Sequence, residues 1–202
     1  MTVQINTVSF QGIEVRDIEV QVQLSSGLPA FHIVGLPDKA VAESRERVRA
    51  ALTAIGLALP PKRITVNLAP ADLQKEGSHY DLPIALGILA AMEIVPASEL
   101  TTYLVLGELA LDGTIRAVNG ILPAALQALA SDKGIICPES QGVEAAWVKG
   151  LEIIAPSSLL ALTNHINGRQ ILSAPKTVLP HPEPDRRHLP DLRDVKGQET
   201  AK

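Results

Sequence analysis

The chain has 202 residues, 46% hydrophobic, 20% charged and only 2% aromatic, with a formal net charge of −4. This supplies an aliphatic core, excludes a disordered chain, and argues against an aromatic platform that stacks single-stranded nucleic acid. The lone cysteine, Cys137, excludes an internal disulfide framework and any cysteine-based zinc site.

Charge is unevenly spread. Residues 64–175 hold eleven acids against five bases, whereas residues 38–63 hold six bases against three acids. The whole-chain charge gives no support for nucleic-acid binding, and the one basic segment leaves it open. No signal peptide precedes the first strand, and the longest apolar run, Leu82 to Met92, is too short to cross a membrane. The expectation is a soluble, cytoplasmic protein with no membrane partner.

In chain order, Thr2 to Phe10 is β-rich, Gly12 permits a turn, and Val20, Val22 and Leu24 alternate with polar residues as a half-buried strand does. Ser25 to Pro29 is turn chemistry before a short strand at 30–34. Gly35-Leu36-Pro37 stops that strand, and Asp38 can cap a helix whose apolar stripe is Val41, Val48, Leu52 and Ile55, with Gly56 as terminator. Pro60-Pro61 precedes an alternating strand, Ile64, Val66, Leu68.

Beyond it, strands and helices alternate. Residues 81–92 predict a buried helix with Pro83 in its first turn, 103–111 a strand, Asp112-Gly113 a hairpin turn and 114–118 the returning strand. An Ala/Leu-rich helix follows Asn119-Gly120 and ends near Lys133-Gly134. Short strands at 135–137 and 151–155 and helical segments at 142–148 and 157–166 complete a mixed α/β (α+β) domain, antiparallel strands first and βαβ-like units after. The predicted domain covers 1–172, a proline-rich linker 173–192, and the start of a further, truncated domain 193–202.

The sequence contains no phosphate-binding loop, dinucleotide fingerprint, nucleophile elbow or zinc-helix motif. The histidines at 32, 79, 165, 181 and 188 are scattered, so no metal site is predicted. Two segments stand out. The first carries Lys39, Arg45, Arg47 and Arg49, with Lys62 and Arg63 beyond it. Arg45 and Arg49 share a helix face while Arg47 points elsewhere. These cations read either as a solvated face paired with Glu43 and Glu46, or as contacts to DNA phosphates or to another subunit.

The second segment is the loop Lys75, Glu76, Gly77, Ser78, His79, Tyr80, Asp81 at the entrance of the buried helix. Ser78 or Asp81 can serve as a helix N-cap. Lys75 with Ser78 also invites a Ser-Lys dyad, and Ser78 with His79 a Ser-His pair, although sequence neighbours rarely face each other. No independent base or oxyanion-hole motif supports a hydrolase.

The stretches GLPDKAVAESRERVRAAL (35–52), ITVNLAPADL (64–73), KEGSHYDLPIAL (75–86), GELALDG (107–113), NGILPAA (119–125) and DVKGQETAK (194–202) resemble the N-terminal part of the ComM/YifB family, magnesium chelatase-like AAA+ ATPases. The resemblance covers the whole chain. It implies a fold like the C-terminal domain of Lon protease, with the Lon-type serine and lysine positions near Tyr80 and Leu122. Neither residue can perform that chemistry, so the resemblance implies a protease-like fold without catalytic residues. It further implies an accessory domain of a hexameric, ATP-driven DNA helicase that moves DNA branches during integration of transforming DNA. ATP and Mg2+ would belong to the ATPase part, with no cofactor in this region. Single-stranded or branched DNA and further copies of the chain would be its partners. The alternatives are a purely structural oligomerisation domain, or a noncanonical hydrolase at Lys75, Ser78 and His79.

Overall fold

The computed structural model describes residues 2–12, 14–176 and 196–197. Most of the predicted linker, nearly all of segment 193–202, and His181 and His188 lie outside the described residues. Strand β1 (Thr2–Gln11) turns at Gly12 and pairs antiparallel with β2 (Glu14–Ser25), placing Val3 beside Val22 and Ile5 beside Val20. Strand β3 (Ala30–Val34) leads through helix α1 (Lys39–Ala54) to β4 (Arg63–Ala69), which pairs parallel with β3 and antiparallel with β2. A parallel crossover therefore already occurs within the first third of the chain.

Helix α2 (Asp81–Ala91) is buried along almost its whole length and lies over β1 and β2. Gly87 permits that approach, because a Cβ there would come within 2.5 Å of Val22 Cγ2. A short helix α3 (Ala97–Leu100) precedes β5 (Tyr103–Val105), and β6 (Glu108–Leu109) pairs with β7 (Ile115–Arg116) around the Asp112-Gly113 turn. The predicted continuous strand 103–111 is broken at Gly107. Its amide donates to His79 O at 3.1 Å and its carbonyl accepts from Leu82 N at 3.0 Å, so the backbone there serves the loop before α2 rather than the sheet. The returning strand is correspondingly shorter than 114–118.

Helix α4 (Ile121–Ala130), β8 (Gly134–Ile136), α5 (Gly142–Ala145), β9 (Ile153–Ile154) and α6 (Leu159–Ile166) complete the domain. The seven-stranded sheet runs β3-β4-β2-β1-β5-β8-β9, antiparallel around β1, β2 and β4 and parallel elsewhere.

Two cores follow from the alternation of side chains along the strands. Ile5, Val20, Val22, Val66 and Leu68 pack with Val48, Leu52 and the apolar residues of α2. Val8, Leu104, Ile135 and Cys137 pack with Ile121, Ala124, Ala125 and Ala128 of α4. Among the described residues no helix is long and apolar enough to cross a membrane.

Candidate functional site

The loop 75–81 meets helix α1 at two points, Asp38 and Arg47. Asp38 caps α1, its Oδ1 accepting from Val41 N at 2.7 Å, and its Oδ2 accepts from Gly77 N at 3.3 Å. The two loops are laced by backbone bonds as well, from Asp38 N to Lys75 O at 2.9 Å and from Lys75 N to Leu36 O at 3.1 Å. One capping carboxylate thus fixes both the start of a helix and the loop that follows β4.

Lys75 is fully buried, and its Nζ donates to the carbonyls of Pro70 and Leu73, the latter at 2.7 Å. Burial lowers its proton affinity. Residues Ser78–Tyr80 form one 3-10 turn entering α2. The Ser78 hydroxyl donates to Glu108 Oε2 on β6. His79 places Nε2 2.9 Å from Val8 O and stacks its ring 4.1 Å from that of Tyr80 and 5.6 Å from that of Phe10. Burial pushes the imidazole down, and it pushes the Tyr80 phenol up to about 12.

The Lys75, Ser78, His79 set is therefore not brought together as a dyad or triad. Lys75 serves two carbonyls, Ser78 serves Glu108, and His79 serves Val8. The positions near Tyr80 and Leu122 fall in different hydrophobic clusters, Tyr80 buried in the one that holds α2 and Leu122 partly buried against the one that holds α4. The helix-cap expectation also needs correction. Neither Ser78 nor Asp81 caps α2, whose N-cap position is Tyr80 and carries no side-chain cap bond.

Asp81 has another partner. It is fully buried and receives Arg47 Nε at 2.6 Å and Nη2 at 3.0 Å, with Leu109 N at 3.1 Å. The same guanidinium donates to Ala40 O at 2.9 Å and Ser44 Oγ at 3.3 Å. The bond to Asp81 raises the Arg47 pKa, while burial raises that of the carboxyl against the opposing pull of Arg47, Ser44 and the Leu109 amide. Arg47 accordingly belongs to the packing of α1 on α2, not to an outward contact surface.

The other cations divide in two. Lys39 lies 3.9 Å from Glu43, and Arg45 bonds Glu46 at 3.0 Å. Arg49, Lys62 and Arg63 are exposed and form no ion pair among the described residues. Arg49 and Lys62 line a groove of about 450 Å³ at the C-terminal end of α1, floored by Phe31, Leu59 and Ile64. Among the described residues no three His, Cys, Asp or Glu side chains are placed to hold a metal ion. Cys137 is buried, which pushes its thiol up to about 12.

Sequence reasoning missed Glu108 as a neighbour of Ser78. Its place is set by the neighbouring Gly107, whose backbone bonds to His79 and Leu82 hold Glu108 beside the 3-10 turn.

The family model described as subunit ChlI of Mg-chelatase matches residues 20–141, from β2 to the turn before α5. The chain is 40% identical over 198 residues to the uncharacterized protein YifB of Escherichia coli K12, covering 98% of this chain and 38% of that protein. It is 40% identical over 193 residues to the competence protein ComM of Haemophilus influenzae, covering 95% of this chain and 38% of the relative. An uncharacterized Mycobacterium tuberculosis H37Rv protein, Rv2897c, is 38% identical over 197 residues, 97% of this chain and 39% of its own length.

Proposed function

The chain belongs to the Mg-chelatase subunit ChlI family, within its ComM/YifB group, and on that membership we propose that it is an accessory domain of a ComM-like AAA+ ATPase that works on DNA. In this reading the whole protein is a hexameric helicase that uses ATP and Mg2+ bound outside this region. The competence role in the name of the Haemophilus relative supports integration of transforming DNA as its setting. The chain itself spans less than two fifths of those relatives' length, and this reading puts the ATPase motor outside it.

The observation that carries the domain's part is the set of unpaired cations at the C-terminal end of α1 and the start of β4. Lys39, Arg45 and Arg47 have carboxylate partners, whereas Arg49, Lys62 and Arg63 have none among the described residues. Cations held without carboxylates are free to replace counterions on a phosphate backbone.

The test is DNA binding by the full-length protein carrying Arg49→Glu, Lys62→Glu and Arg63→Glu, followed by fluorescence anisotropy across a salt series. Loss of three phosphate contacts lowers the magnitude of the log–log salt slope by about 2–3. An unchanged affinity and slope would remove DNA contact from this face. A second reading, a structural domain that sets subunit geometry, is favoured by the packing roles of half-buried Arg47 and of buried Lys75 and Asp81. It expects hexamer assembly, and not DNA affinity, to change in the same triple variant. Cytoplasmic location is part of the proposal.

A further inference from the structure

A cleft of about 560 Å³ opens beside the 3-10 turn, at the opposite end of α1 from the basic groove. Its polar lining is Asp38, Glu76, Glu108, the Ser78 hydroxyl, the His79 ring and Asn119, with no lysine or arginine among the described residues. The Ser78 hydrogen is already donated to Glu108. The lining is thus rich in acceptors and poor in donors.

His79 adds an independent feature. It is only 5% exposed, and its Nε2 faces Val8 O at 2.9 Å. A carbonyl can only accept, so Nε2 carries the hydrogen, and burial keeps the ring neutral. Nδ1 is then a lone-pair acceptor, with no hydrogen-bond partner among the described residues. It stands beside Gly77, another residue of the lining, where an added Cβ would lie 3.3 Å from it.

We propose that this cleft binds the guanidinium of an arginine side chain presented by a partner polypeptide. Five N–H donors in a planar fork match dispersed carboxylate and imidazole acceptors, which one spherical ion cannot satisfy together. No three of these side chains converge closely enough to hold a metal ion. The Phe10 ring is also part of the lining, and aromatic rings attract cations of this kind. The proposal is independent of the DNA reading, since it uses none of the basic groove.

The experiment is NMR titration of the labelled 202-residue chain with Nα-acetyl-arginine methylamide, its citrulline isostere, spermidine and MgCl2. Expected is a saturable shift of the His79 ring and the Gly77 and Ser78 amides with the arginine probe, weakened about tenfold or more by citrulline. A Glu76→Gln/Glu108→Gln variant, with its remaining spectrum unchanged, should weaken the arginine effect by a similar factor. Four results would overturn the proposal: no shift at these residues, equal binding of citrulline, indifference to the double substitution, or tighter saturable binding of spermidine or Mg2+ at the same residues.

Discussion

Arg47 and Asp81, separated by 34 residues, form a two-bond ion pair that joins α1 to the start of α2. The carboxylate is fully buried while 21% of the arginine side chain remains exposed. The Leu109 amide, also bound to Asp81, ties β6 into the same junction. Three elements therefore meet on one carboxylate.

Removing either partner is not equivalent. Arg47→Met strands a buried carboxylate with only the Leu109 amide and Ser44 left to it, and breaking a buried pair this way costs about 3–5 kcal/mol. Asp81→Asn leaves an arginine that can turn toward water and keeps an acceptor for Leu109 N, so its cost should be clearly smaller. Urea unfolding of both variants checks the order. Equal losses, or a larger one for Asp81→Asn, would show that the carboxylate's burial does not set the cost.

Lys75 should behave as a structural residue. Its buried ammonium satisfies the carbonyls of Pro70 and Leu73. Lys75→Met leaves those acceptors unsatisfied, at about 1–3 kcal/mol. The measurement is again the unfolding midpoint, and an unchanged midpoint would contradict the assigned role.

The sequence made some of this legible and hid the rest for physical reasons. Ile64, Val66 and Leu68 alternate with polar neighbours, and in β4 they do face the core. Asp38 ahead of the Val41 stripe marks the α1 cap because capping is local, within three residues. Arg47 was legible as pointing away from Arg45 and Arg49, but its direction turned out to be inward. A pairing partner 34 residues distant leaves no trace in local periodicity. The same holds for Gly107, whose apolar flanks suggest an unbroken strand while its backbone bonds His79 and Leu82. For the loop 75–81, residue types alone suggested catalysis. The separate partners of Lys75, Ser78 and His79 became visible only in three dimensions.

Ser78 should not react as an activated nucleophile. Its hydrogen goes to Glu108, and neither Lys75 nor His79 is bonded to it. The base that Ser78 does face is the Glu108 carboxylate, ordinarily a weak base toward an alcohol, and neither an imidazole nor an amine takes its proton. Incubation with a fluorophosphonate probe should leave the folded chain unlabelled. Labelling that disappears in Ser78→Ala would reinstate the hydrolase alternative.

His79 makes stability depend on pH in a definite direction. Burial lowers its folded-state pKa below the ordinary 6.5, so the unfolded chain binds this proton more readily. The stabilisation is fully present above pH 6.5 and is lost as the pH falls through the lower folded value. Protonation also places charge between the Phe10 and Tyr80 rings in a nearly closed site. The urea midpoint should therefore decline between pH 7.5 and pH 5. In His79→Gln, which can still donate to Val8 O but cannot titrate, that decline should be shallower. Parallel pH profiles for the two proteins would assign the acid sensitivity to other groups and remove His79 as its source.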